Sequence, residues 1–232
     1  MIRWNHPEQG MIPPSDFIPL LEELNLISDV TKLVLTEASK WLSEHSNTNT
    51  DNLKLSVNIS ARDLVVPGFV NDVRKLTLKY PIGPNRICLE VTETAIMTDP
   101  DYCISVLKAL KHLGFSIAVD DFGTGYSSLS YLSQIQPDEI KVDQSFIKGM
   151  LTSDVQRNIV KTVINLGVNL NAESVAEGIE DQETLDVVNK LGCNVGQGYF
   201  WAKPMPLKDF KDWHSKSDAQ EKYARNAPKS CK

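Results

Sequence analysis

The chain has 232 residues, 41% of them hydrophobic, four cysteines and a formal net charge of −6. That length allows one large α/β domain or two small ones, and the acidic balance argues against a general nucleic-acid binding face. The longest apolar runs are too short to cross a bilayer, and the N-terminus MIRWNHPEQG has neither the basic start nor the apolar centre of a signal peptide, so a soluble cytoplasmic location is expected.

The predicted elements begin with two amphipathic helices. Phe17, Leu20, Leu21 and Leu24, then Val30, Leu33, Val34, Ala38 and Trp41, recur at helical spacing. LKLSVNIS (53–60) and RICLEVT (86–92) alternate apolar and polar residues as strands do, and helical segments follow each. A further helix fits between Asp99-Pro100 and Gly114, with an acidic cap, Pro in the first turn and Gly at the stop. FSIAVDD (115–121), DEIKVD (138–143), the stretch around NAESVAEG (171–178) and CNVGQG (193–198) are four more strand candidates. Helical patterns separate them over 154–166 and 181–191. No linker divides the chain and no G-x-G-x-x-G or P-loop appears, so six strands alternating with helices predict a TIM-like α/β architecture, a (β/α) barrel. Cys88, Cys103, Cys193 and Cys231 are scattered, with no C-x-x-C pair, and read as reduced structural thiols.

Strand phase locates candidate chemistry. With Leu55, Val57 and Ile59 on one face, Asn58 lies on the other, and the same split isolates Glu90, Asp120, Lys141 and Asp143 from their apolar neighbours, with Glu177 available on the next strand. Each alone is more often a solvated strand end. Their shared phase points to a barrel mouth, where this architecture places its active sites. The run IAVDDFGTGYSS (117–128) adds a physical puzzle. Two adjacent carboxylates at the end of a buried strand are unfavourable unless a positive partner sits between them, and they can face one site only where the strand ends and bends.

Arg3-Trp4, His6-Pro7, Gly10, IPPSDFIPLLEELNLI, VNIS, LEVTE, AVDDFGTGYSSLSYL, IKVDQSFI, AEGIE and GQGYFWAKPMP resemble, in order and spacing, the EAL domain of bacterial cyclic-di-GMP phosphodiesterases. The resemblance covers residues 1–213 and leaves 214–232 as a polar C-terminal tail without helical periodicity. It implies a modified TIM barrel that hydrolyses cyclic di-GMP to linear pGpG with two Mg²⁺ or Mn²⁺ ions, as a homodimer, with no DNA or RNA polymer as partner. By analogy Asn58, Glu90 and Asp120 would hold one ion, Asp121 and Glu177 the other, and Asp120 would bridge them. Lys141 resembles the residue that orients the attacking water, and Glu177 has the alternative role of general base. Arg3, Asp143, Glu180 and Gln197 fall at substrate-site positions, and Gly123 and Gly125 lie in a loop braced by Glu93.

The family's Glu-Ala-Leu run is the one departure. Met1 falls where its leucine would be, so the metal-binding glutamate and most of the first barrel strand would precede residue 1. This predicts weak activity for the chain as it stands and sets a second reading beside the hydrolase: a catalytically silent EAL-type module that binds cyclic di-GMP or a protein partner.

Overall fold

All six strands predicted from the sequence form in the computed structural model, which describes residues 2–45, 53–124 and 129–218. They make one sheet in the order β3-β4-β5-β6-β7-β8, after a two-stranded hairpin, β1-β2. The chain divides into two units, Met1–Val119 with Ser128–Pro137, and Asp120–Ser127 with Asp138–Lys232. Gly125 and the tail beyond residue 218 lie outside the described residues.

The first unit does not open with helices. Trp4–His6 (β1) and Gly10–Ile12 (β2) pair antiparallel, and His6 Nδ1 closes the turn by accepting from the backbone N–H groups of Glu8 and Gln9, both at 3.2 Å. Neither WNH nor GMI alternates apolar with polar residues, so the hairpin carries no strand pattern in sequence. Helix α1, Pro14–Glu23, starts on a proline and buries Phe17, while Leu20 and Leu24 remain exposed. Helix α2, Ile27–Glu44, buries Trp41 as expected, but the rest of its inward stripe is Ile27, Thr31, Leu35, Ser39 and Leu42, rotated from the expected phase, whereas Leu33 is 56% exposed. Thr31 and Ser39 occupy core positions, which disguised the stripe.

Strand β3, Leu55–Asn58, pairs parallel with β4, Ile87–Thr92, and Asn58 lies opposite Glu90. Helices α3, Ala61–Val65, and α4, Phe69–Lys79, connect the two strands. β4 is buried on both faces from Ile87 to Val91, as parallel strands between layers usually are. Helices α5, Glu93–Met97, and α6, Pro100–His112, follow, and α6 is capped by Asp99, which accepts from the Tyr102 N–H at 3.3 Å. Helix α7, Leu129–Ile135, completes this unit, whose centre holds Leu35, Leu42, Leu64, Ile87, Leu89, Ile96, Leu107 and Leu110.

Strand β5, Ser116–Phe122, runs from the first unit into the second. There, β6, Glu139–Val142, is followed by α8, Gln144–Gly149, and α9, Asp154–Leu170, before β7, Glu173–Glu177, pairs parallel with β6. Helix α10, Gln182–Lys190, leads to β8, Val195–Gln197, parallel to β7, with Gln197 opposite Glu177. The glycines of GQG are steric necessities: a Cβ on Gly198 would lie 2.0 Å from the Ile179 carbonyl oxygen. That contact seats the Gln197 loop, through Ile179 N to Gln197 O at 3.1 Å and Phe200 N to Ile179 O at 3.0 Å. Helix α11, Leu207–Asp218, continues past the expected boundary at residue 213, so the start of the polar segment is helical.

Candidate functional site

In the second unit, the ends of two strands bring three acidic side chains together. Asp120 on β5, its neighbour Asp121 and Glu177 at the end of β7 each offer a carboxylate oxygen, and these atoms all lie within 4.8 Å of one another. Asp121 solves the geometric problem of adjacent residues facing opposite sides. Its φ is +54°, in the left-handed region that an aspartate tolerates better than most residues, and the strand turns there. The turn is fastened by the Asp121 N–H, which donates to Asp120 Oδ1 at 2.9 Å. Gly123, at φ +96°, carries the chain onward past the Phe146 ring.

The positive charge among them is Lys141 on β6, only 3% exposed, whose Nζ lies 2.6 Å from Glu177 Oε1 and 3.1 Å from Asp120 Oδ2. One ammonium does not neutralise the cluster. Burial, and then the Asp120 and Asp143 charges, push the Asp121 carboxyl above its ordinary range, with Lys141 opposing them. An oxygen-only donor set with surplus negative charge, partly withdrawn from water, suits a hard divalent cation.

The other predicted residues of this unit lie close by in sequence but do different jobs. Gln197 Nε2 donates to Glu177 Oε1 at 3.4 Å, a long bond between neighbouring strand ends. Asp143 caps α8, its Oδ1 accepting from Ser145 N at 2.9 Å and from the Ser145 hydroxyl. Glu180 is exposed and pairs with Lys148 at 3.1 Å, a partner absent from the sequence reading.

The first unit holds Asn58, Glu90, Glu93 and Arg3. Asn58 Nδ2 donates to Glu90 Oε2 at 3.2 Å, across the β3–β4 register. Glu93, the first residue of α5, is buried with no hydrogen-bond partner on either carboxylate oxygen, and the buried Tyr131 hydroxyl of α7 is likewise unpartnered. Burial, and then the nearby Glu93 carboxyl, hold the Tyr131 phenol far above its ordinary range. Sequence reading passed over Tyr131 because a tyrosine on a helix face looks like packing. Arg3 is exposed, its guanidinium donating to the Ile2 carbonyl at 3.0 Å, and the structure brings it to none of the acidic residues of its own unit by any described bond.

Comparison with known proteins matches the EAL domain family model over residues 1–204. The chain is 37% identical over 208 residues to the bifunctional diguanylate cyclase/cyclic di-GMP phosphodiesterase MucR of Pseudomonas aeruginosa, covering 90% of this chain and 30% of that protein. It is 35% identical over 213 residues to the cyclic di-GMP phosphodiesterase NbdA of the same organism, covering 92% of this chain and 27% of that protein. The chain thus spans between about a quarter and two fifths of the length of the curated relatives it matches. Among solved structures, the MucR phosphodiesterase in complex with c-di-GMP superposes with a TM-score of 0.86 at 36% identity, over 90% of this chain and 84% of that one. The TIM-like fold expected from the alternation of strands and helices is therefore the fold observed.

Proposed function

Since the chain belongs to the EAL domain family, we propose that it hydrolyses cyclic di-GMP to linear pGpG using two Mg²⁺ or Mn²⁺ ions. The observation that carries this reading is the Asp120, Asp121 and Glu177 cluster, three carboxylates with ligand atoms within 4.8 Å of one another around a buried lysine. In the proposal Asn58, Glu90 and Asp120 hold one ion, Asp121 and Glu177 hold the other, and Asp120 serves both. When bound, such ions offset the carboxylate charge, lower the pKa of water and stabilise charge on the attacking and leaving oxygens.

The balance of the reaction follows from its product. A water oxygen joins phosphorus, the bond from phosphorus to the ribose 3′ oxygen breaks, that oxygen takes up a proton to leave as a hydroxyl, and the new 5′ phosphate stays on the linear dinucleotide. Glu177 is placed by this reading to accept the proton that the water loses. Lys141, whose Nζ pairs with both Asp120 and Glu177, bridges the two carboxylates, and in this reading it orients the attacking water. Gln197, Asp143, Glu180 and Arg3 are assigned to the dinucleotide, Glu93 and the Gly123–Gly125 stretch to loop support, and the active species to a cytoplasmic homodimer.

The test is chromatographic conversion of cyclic di-GMP to pGpG with Mg²⁺ or Mn²⁺, run on the chain as it stands and on the chain preceded by Glu-Ala. Asp120→Asn should lower turnover by at least about a hundredfold, because displaced reacting groups cost rate steeply. Dinucleotide binding without turnover in either form would replace the hydrolase with the binding-module reading.

A further inference from the structure

Asp63 is a buried carboxylate for which the proposed reaction has no role. It sits in the first turn of α3 with no solvent exposure, and one oxygen, Oδ2, accepts three hydrogen bonds of 2.8 Å: from Thr31 Oγ1, from the Ser60 N–H and from the Ser60 hydroxyl. The Asp63 N–H returns a bond to Ser60 Oγ at 3.2 Å. Its other oxygen, Oδ1, is buried without a partner. A capping box needs only the reciprocal bonds between Ser60 and Asp63, and those bonds do not require a fully buried acid. Thr31 is the surplus partner. It comes from α2, 32 residues earlier, and is itself buried, so the strand-to-helix turn is tied to a second element.

What that turn carries is Asn58. Three consecutive residues are each fastened: Asn58 by its amide to Glu90 Oε2 at 3.2 Å, Ile59 by its N–H to the Glu90 carbonyl at 2.8 Å, and Ser60 to Asp63. The first two bonds fix the end of β3 against β4, while the third fixes the direction in which the chain leaves. Side-chain direction at the last residue of a strand depends on both.

We propose that Asp63, held by Thr31, is a positioning residue that sets the orientation of the Asn58 side-chain amide against Glu90. It deepens the phosphodiesterase reading, resting on Asn58 and Glu90 as divalent-ion donors, and it assigns their outer support to Asp63 and Thr31. Groups that orient a metal ligand typically change affinity by about 10- to 100-fold when lost.

The experiment compares Asp63→Asn, Thr31→Val and Thr31→Ser with Asp99→Ala, which removes the cap of α6 and serves as a control for loss of stability alone. The first readout needs no metal: the side-chain amide signals of Asn58 in a ¹⁵N-edited spectrum of the full chain, identified by their loss in Asn58→Ser. They should move in Asp63→Asn and Thr31→Val, return towards the original positions in Thr31→Ser, and stay put in Asp99→Ala. The second is Mn²⁺ titration calorimetry, in which Asp63→Asn should bind at least about tenfold more weakly than the unmodified chain and Asp99→Ala equally well. Should Asp63→Asn fail to fold, Thr31→Val, which keeps both Ser60 bonds, decides the matter. Unmoved Asn58 signals in the folded variants would reduce Asp63 to a helix cap and overturn the proposal. Signals that move in a chain taking up no Mn²⁺ would uphold the positioning and remove the metal reading instead.

Discussion

Replacing Lys141 by methionine removes the ammonium that lies 2.6 Å from Glu177 and 3.1 Å from Asp120 while roughly keeping side-chain volume. Two opposing charges at about 4 Å interact by about 4 kcal/mol at an effective dielectric near 20, and removing one partner of a buried pair typically costs 3 to 5 kcal/mol because the other stays buried and uncompensated. In a chain of this size each kcal/mol moves Tm by about 2 to 4 °C, so a fall of roughly 10 °C is expected in EDTA at neutral pH. Two signatures distinguish charge removal from general damage. Mn²⁺ should raise the Tm of Lys141→Met more than that of the unmodified chain, since the ions then supply the only nearby cations added to the cluster. Acidification should also shrink the defect. Asp121 has a folded pKa above its unfolded value near 3.8, so its ionisation opposes folding at pH values above the folded pKa and that opposition disappears as pH falls towards 3.8. Differential scanning calorimetry at pH 7.5 and pH 5, with EDTA or Mn²⁺, supplies the four values for each protein. An unchanged Tm in EDTA, together with the same Mn²⁺ shift in both proteins, would refute the charge argument.

Tyr131→Phe should be neutral or stabilising by up to about 1 kcal/mol, since it removes a buried hydroxyl that has no hydrogen-bond partner; urea denaturation measures it, and a loss above about 1 kcal/mol would show that the hydroxyl is bonded to Glu93 in solution. At position 121, glycine should be more stable than alanine by about 1 kcal/mol in metal-free protein, because the left-handed backbone strains any residue with a Cβ, and equal stabilities would contradict the observed φ of +54°. Gly198→Ala should cost at least about 3 kcal/mol, visible as low soluble yield or a sharply lowered Tm, because its Cβ would stand 2.0 Å from a backbone oxygen that cannot swing away.

Sequence carried the strands better than the ends. Five of the six sheet strands fall inside the predicted ranges and β5 runs one residue past its own, and in four of them apolar and polar residues alternate over enough positions to fix phase as well as existence. The hairpin at Trp4–His6 and Gly10–Ile12 does not alternate apolar with polar residues, and the face of α2 was misread because Thr31 and Ser39 lie inward among leucines. In the site, the shared phase of Glu90, Asp120 and Lys141 was legible, and all three are buried polar groups in the structure. The need for a bend between Asp120 and Asp121 was legible too, although no pattern announced that the bend would be a left-handed residue within the strand. Partnerships across long separations were not. Thr31 with Asp63, and Glu93 near Tyr131, join elements 32 and 38 residues apart, and nothing in a local window distinguishes such a threonine or tyrosine from packing.

The burial of β4 on both faces has a consequence for how the chain breathes. From Ile87 to Val91 every residue is shielded, whereas β8 exposes Val195 and Gln197 at the end of the strand order. Backbone amides in the two strands should therefore exchange with deuterated solvent through different events: those of β4 only when its whole unit opens, those of β8 through local excursions far below that energy. Glu90 is thus carried by a segment that keeps its place until the unit unfolds. Gln197 is carried by one that can detach and return many times before then.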